Sequence, residues 1–282
     1  MNLEEISLPD PHRVASLLAE VAQAEIVPRF QRLSEADWRE KGPGDIVTVA
    51  DERAEAILTP QLQALLPGSV VLGEEAAARD PSLMGLLRDP RPVWIIDPVD
   101  GTANFAAGKT DFCSMLALVY GDRVLAGWIH EPLNGRTTIA IAGQGIEAIG
   151  PARNLTPPDV ISERAGSLKR GVIAVGHKGS KDLLHRALRL KEHVEQIRSL
   201  RCAGLDYLRL AARELDFLLF SGVMPWDHAA GALIIQETHG LAGHLGDKGV
   251  YLASTSATAE GILATAVAAD WAWVTSILDA AA

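Results

Sequence analysis

Apolar residues recur along this chain at two periods, helical and strand-like, and the two alternate in a readable order. Val14, Leu17, Leu18 and Val21 fall at i, i+3, i+4 and i+7, one stripe of a helix that Asp10-Pro11 would cap and begin. Pro28 is expected to kink or end it. Lys41-Gly42-Pro43-Gly44 reads as a loop, and a second helix is expected from near Asp51 towards Leu66, with a break allowed at Pro60. Ser69 to Leu72 is a short strand candidate. Val93-Trp94-Ile95-Ile96 is a stronger one, a continuous apolar run suited to burial on both faces. Cys113 to Tyr120 and Arg123 to Ile129 flank the turn Gly121-Asp122, and Arg136 to Ala142 adds another strand. The first half therefore reads as two helices plus an antiparallel meander.

The pattern changes near Gly150, where Pro151, Pro157 and Pro158 mark a loop-rich joint. Strands at Gly171 to Val175, Glu195 to Leu200 and Leu215 to Phe220 then alternate with helices at Lys181 to His193, Leu205 to Arg213 and Asp227 to His239. That is an α/β arrangement. Ala257 to Leu278 reads as a closing helix, or two. The expected division is 1–150, an α+β part, and 151–282, an α/β part.

Composition narrows the function. With 282 residues, about half of them apolar, the chain can bury a substantial core. Acidic residues outnumber basic ones 36 to 26, and no long Lys/Arg run occurs, so nucleic acid is not expected as a partner. Cys113 and Cys202 lie in apolar contexts without metal-binding spacing and read as buried free thiols. The start, Met1-Asn2-Leu3-Glu4-Glu5, lacks the pattern of a secretory signal, and no uncharged apolar run approaches a membrane span. The expectation is a soluble cytoplasmic protein.

The chemistry concentrates at Asp97-Pro98-Val99-Asp100-Gly101-Thr102. A buried strand delivers Asp97, Pro98 stiffens the backbone, and Asp100 follows on a tight turn at Gly101. Two carboxylates so placed can share a divalent cation, or can merely cap backbone amides in an Asx turn. Three other segments carry acidic groups at element ends: Asp45 to Asp51, Gly73-Glu74-Glu75 and Trp226-Asp227. Each alone is equally consistent with helix capping or an exposed loop. The eight histidines are scattered, and only His228, beside Asp227, has a suggestive neighbour.

Together, Asp45-x-Val47-Thr48-x-x-Asp51, Gly73-Glu74-Glu75, Trp94 through Phe105 and Trp226-Asp227-x-Ala229-Ala230-Gly231 resemble the inositol monophosphatase family in content and in order. The resemblance implies an αβαβα layered sandwich of the sugar-phosphatase type, an α/β (α+β) fold, with the site between the two halves and a homodimeric assembly. It implies two or three Mg²⁺ ions held by Glu74, Asp97, the Val99 carbonyl, Asp100 and Asp227. Glu74, Thr102 and Asp51 are implied as the catalytic residues, with Asp51 orienting Thr102. Asp100 and the backbone at Gly101 and Thr102 are implied to receive the phosphate of a small phosphorylated metabolite, with Li⁺ sensitivity.

The alcohol is left open among inositol phosphates, histidinol phosphate, fructose 1,6-bisphosphate and 3′-phosphoadenosine nucleotides. Inositol-phosphate enzymes of the family carry a glutamate seven residues before the metal aspartate, where this chain has Phe220. Asp206 could contact a polyol or an amine, which would suit a cationic substrate, or could cap a helix. A non-catalytic relative acting as a binding protein would be expected to lack a metal carboxylate, and all are present. A nucleotide-binding enzyme would need a Gly-rich fingerprint, and Gly176-His177-Lys178-Gly179-Ser180 lacks its spacing.

Overall fold

The computed structural model describes residues 7–42, 44–151, 168–175, 180–246, 249–254 and 260–280. The elements in chain order are α1 (Pro11–Val21), β1 (Trp38–Gly42), β2 (Asp45–Thr48), α2 (Val49–Leu65), β3 (Val70–Gly73) and α3 (Glu74–Arg79). Then come β4 (Val93–Asp100), α4 (Thr102–Ala106), β5 (Cys113–Tyr120), β6 (Arg123–Glu131), β7 (Arg136–Ile141) and β8 (Gly145–Ile149). The later elements are β9 (Lys169–Ala174), α5 (Lys181–Lys191), β10 (Val194–Gln196), α6 (Ala203–Ala211), β11 (Phe217–Phe220), α7 (Pro225–Glu237), β12 (Leu241–His244), β13 (Ile262–Thr265) and α8 (Ala268–Leu278).

Among the described residues these strands form three sheets. β1 and β2 form a hairpin, and β3 to β8 form a six-stranded sheet in sequence order. β3 pairs parallel to β4 and the rest are antiparallel, so the meander stands. The third sheet has the order β10-β9-β11-β13-β12, parallel across its first three strands and antiparallel thereafter.

Side-chain alternation stacks these sheets into five layers. On β4, Trp94 and Ile96 face α1 and α2, packing with Val14, Leu18, Ala54 and Leu58. Val93 and Ile95 face the other way, towards α6 and α7. On the third sheet, Val172, Leu218 and Ile262 face those same two helices, while Ile173, Leu219 and Leu263 face α5 and α8. The order is thus α1/α2, sheet, α6/α7, sheet, α5/α8, the expected αβαβα sandwich. All eight residues of β4 are buried, which explains its unbroken apolar run. Helix α7 packs against strands of both large sheets and is buried nearly all round.

Several expectations need correction. The stretch read as a closing helix holds strand β13 before α8. Its Ala, Leu and Thr residues tolerate a helix, but a short run beginning at Gly261 is buried on both faces between β11 and β12. A side chain at Gly261 would meet the Phe220 carbonyl at 2.7 Å, so that strand needs a glycine where it enters the sheet. Lys41 and Gly42, read as loop, end β1, and strands β2, β8 and β12 were not expected. Helix α2 runs through Pro60 unbroken, because Ala56, whose carbonyl loses its amide partner, is exposed to water. Pro157, Pro158 and residues 176–179 lie outside the described residues.

The close contact of α6 with α7 depends on Gly231, where a Cβ would lie 2.2 Å from the Tyr207 ring. Gly231→Ala should therefore lower the unfolding free energy by about 1–3 kcal/mol in a denaturant titration. Gly85→Ala, with open space at its Cβ, should stay within about 0.5 kcal/mol of wild type.

Candidate active site

The site is built where β4 ends. Asp97 and Asp100 lie on its last turn, both buried, and the Val99 amide donates to Asp97 Oδ1 at 3.0 Å. Gly101 follows at φ 88, and a Cβ there would approach the Asp111 carbonyl at 2.8 Å, so only glycine fits the corner. α7 begins opposite, with Met224 at its N-cap and Asp227 in its first turn. Asp227 is thus not the capping residue. One oxygen each of Asp97, Asp100 and Asp227 lies within 4.8 Å of the others.

Asp100 is clamped from the second half of the chain. Its Oδ2 accepts the Gly204 amide at 2.6 Å and faces the thiols of Cys202 at 3.1 Å and Cys113 at 3.6 Å. The two sulfurs are 3.6 Å apart, and both cysteines are free and buried. A side chain at Gly204 would run into Cys113 Sγ at 2.5 Å, so glycine is what lets that amide reach the carboxylate. Sequence alone offered no sign that these thiols meet a carboxylate.

Glu74 opens α3, just after β3. Lys41 at the end of β1 donates to Glu74 Oε1 at 2.7 Å and Glu75 Oε1 at 3.0 Å, with Asp45 at 3.7 Å. Glu55 on α2 caps α3 by accepting the amides of Glu75 at 2.9 Å and Ala76 at 2.8 Å. Glu75 stood in the Gly73-Glu74-Glu75 segment without a role of its own, and Lys41 and Glu55 escaped the sequence reading, because only the hairpin and the α2–α3 contact bring these groups together.

Thr48 and Asp51 form a capping box at the start of α2. Asp51 Oδ2 accepts the Thr48 amide at 2.9 Å and its hydroxyl at 2.5 Å. That leaves Oδ1 for Thr102, whose hydroxyl lies 3.2 Å from it and 2.8 Å from the Val99 carbonyl. So Asp51 is both the helix cap and a partner of Thr102.

The electrostatics follow from burial. Desolvation first, then Glu74, Asp100 and Asp227, push the Asp97 carboxyl well above the ordinary range. Asp100 also rises on burial, although the amides and thiols around it pull the other way. Asp51 is pushed up to about 7 by burial, with Glu74 and Glu75 adding to it against the Thr48 bonds. Glu75 likewise reaches about 7, through burial and Glu74. Burial works to lower Lys41, yet Glu74 and Glu75 prevail and hold the ammonium above its usual range. One ammonium shared among three carboxylates does not neutralise them. Hard oxygen donors in this density match a divalent cation of the Mg²⁺ class, which would relieve the repulsion.

Two expected features resolve differently. Asp206 is fully buried and does not reach the adjoining cavity. Its carboxylate accepts from Ser199 Oγ at 2.7 Å, the Leu200 amide at 3.2 Å and Arg209 at 2.9 Å, so the expected substrate contact is replaced by a clamp on the 199–202 turn. His228 donates Nε2–H to the Gly222 carbonyl at 2.9 Å, which leaves Nδ1 to accept from the Tyr207 hydroxyl at 3.1 Å. Burial drives it down to about 3, so it is a neutral packing residue.

Known proteins resemble this chain in sequence and in fold. Residues 11–274 match the model of the inositol monophosphatase family. An inositol-1-monophosphatase of Mesorhizobium japonicum is 32% identical over 71% of this chain and 72% of its own length. A fructose-1,6-bisphosphatase/inositol-1-monophosphatase of Thermotoga maritima is 29% identical over 72% of this chain and 73% of its own. The crystal structure of the extragenic suppressor protein suhB from Bartonella henselae superposes with a TM-score of 0.75 at 25% identity, covering 96% of this chain and 99% of that one.

The raised carboxyls make stability depend on pH. Asp51 and Glu75 titrate near 7 in the fold against about 4 in the unfolded chain, so the folded state binds more protons between those values. Their contribution is complete below about pH 4 and is lost as pH rises through about 7. In chelator, the melting temperature should therefore fall between about pH 5 and about pH 8, and fall less in Asp51→Asn. Added Mg²⁺ should raise it more at the higher pH, as thermal scans would show.

Proposed function

Because the chain belongs to the inositol monophosphatase family, we propose that it hydrolyses a small phosphate monoester, using Mg²⁺ held by Glu74, Asp97, the Val99 carbonyl, Asp100 and Asp227. The observation that carries this reading is the convergence of oxygens of the buried Asp97 and Asp100 and the half-buried Asp227, from two distant elements, into one cluster. Two or three ions at such carboxylates would supply positive charge to the phosphoryl, attacking and leaving oxygens.

The chain's own groups do the rest. Asp100, held by Gly204 and the two thiols, keeps one fixed orientation. With its proton directed at Asp51 Oδ1, Thr102 Oγ1 accepts a hydrogen bond from a water and so orients it for in-line attack. Asp51, buried and pushed up to about 7, is the acceptor at the end of that path. Backbone at Gly101 and Thr102 receives the phosphate at the corner that leads into α4. A binding-only role, as for a relative without chemistry, gains no support from a complete set of carboxylates, of which the buried Asp97 and Asp100 cost stability unless a cation joins them.

Asp97→Asn separates chemistry from folding. Mg²⁺-dependent phosphate release should fall by about 100-fold or more. The metal-free variant should melt higher than metal-free wild type, because burial and four neighbouring carboxylates no longer act on an ionisable group. Undiminished turnover in Asp97→Asn would exclude the metal assignment.

A further inference from the structure

Next to Asp100 and Asp227 opens a cavity of about 490 Å³, whose walls come from β9, the 199–203 turn, β11 and the start of α7. Much of the lining is apolar, including Ile173, Ala174, Val175 and Phe220. Of its polar groups, the two carboxylates belong to the cation cluster. Ser199 donates its hydroxyl to Asp206, and both His228 nitrogens are engaged. Arg201 is different. It is exposed, it lines the cavity, and no group among the described residues partners its guanidinium.

The backbone there is unusual. Arg201 sits at φ 57, in the left-handed region that side-chain-bearing residues rarely adopt. The turn leaves it no alternative. Its amide donates to Ser199 Oγ at 2.9 Å, Asn104 Nδ2 donates to the Leu200 carbonyl at 2.8 Å, and Asp206 holds Ser199 Oγ and the Leu200 amide. A strained residue, pinned on both sides, presents an unpaired cation at a cavity that opens beside the phosphate-handling carboxylates. Such strain persists where the surroundings over-determine it, and it clusters at ligand sites.

From this placement we infer that Arg201 reads a second anionic group on the alcohol half of the substrate, so that the preferred substrates are phosphate esters carrying another phosphate or a carboxylate. This deepens the phosphatase reading and rests on it. Apolar walls suit a carbon skeleton, with few side chains left to recognise hydroxyls. A cationic alcohol such as histidinol phosphate is disfavoured, because the nearby carboxylate that would have welcomed it, Asp206, is spent inside the turn.

Matched pairs test the inference. Fructose 1,6-bisphosphate differs from fructose 1-phosphate by one phosphate, and 3-phosphoglycerate differs from glycerol 3-phosphate by a carboxylate. The two pairs distinguish which anion is read. KM and kcat are measured with Mg²⁺ for wild type, Arg201→Gly and Arg201→Lys. Glycine suits the left-handed backbone, so that variant folds without strain.

Arg201→Gly should raise KM for the member carrying the second anion by about 10- to 100-fold, with kcat and the member lacking that anion little changed. Lysine should restore part of the loss. Calorimetric binding of the same four compounds reads the contact without turnover. If no ester is hydrolysed but the bisphosphate still binds wild type more tightly than Arg201→Gly, the phosphatase reading fails while the contact of Arg201 with the second anion stands. An unchanged preference between pair members, in KM and in binding, would overturn it.

Discussion

Mutual repulsion among buried carboxylates governs this molecule. Asp97, Asp100 and Asp227 crowd one corner with Glu74 beside them, and Lys41 is the cation bound to that group's edge. Water would screen such charges; a buried corner does not. Much of the surrounding detail answers that problem. Gly204 and the two thiols donate to Asp100, Thr48 donates twice to Asp51, and Lys41 spans Glu74 and Glu75. Glu55 spends its own charge on the amides that start α3. Two glycines leave room for the groups of this network to come close. At Gly73 a Cβ would lie 2.2 Å from Glu55 Oε2, and at Gly204 it would displace Cys113.

The layers decide where that corner forms. β4 is buried on both faces and so carries its carboxylates to a strand end deep in the sandwich. α7 lies between the two large sheets, and its small residues let it sit close. A Cβ on Gly127 of β6 would touch the Ala230 backbone at 3.0 Å, and Gly231 accommodates Tyr207 of α6. The stretch Trp226-Asp227-His228-Ala229-Ala230-Gly231 is therefore as much a packing signature as a chemical one. Close approach of α7 to the meander brings Asp227 to Asp97. His228 belongs to the packing side of that division, locked between Tyr207 and Gly222.

The same economy shapes the wall facing the alcohol. A turn that must place Cys202 and the Gly204 amide on Asp100 is held in shape by Asp206 and Asn104. Asp206 thereby leaves the cavity, and Arg201 enters it. The sign of the charge offered to a substrate is thus opposite to what the residue order suggests.

What the chain determined by itself was considerable. Period and run length marked α1, β4, β5, β6 and the strand–helix alternation of the second half, because apolar spacing is a local property. The ordered segments around Asp51, Glu74, Asp97 and Asp227 identified the family, since four such segments in that order are specific where each alone is ambiguous. Elements whose residues are locally ambiguous escaped. β13 is an Ala/Leu/Thr run that becomes a strand only between β11 and β12, and β8 is a half-exposed edge. Only the tertiary structure decided which groups share the corner. Cys113 meets Asp100 when β5 pairs with β4, whereas Cys202, 89 positions further on, reaches it only when the two halves pack. The fates of Asp206 and Arg201 were equally hidden, because a carboxylate's role depends on which donors reach it first, and those donors are supplied by the fold.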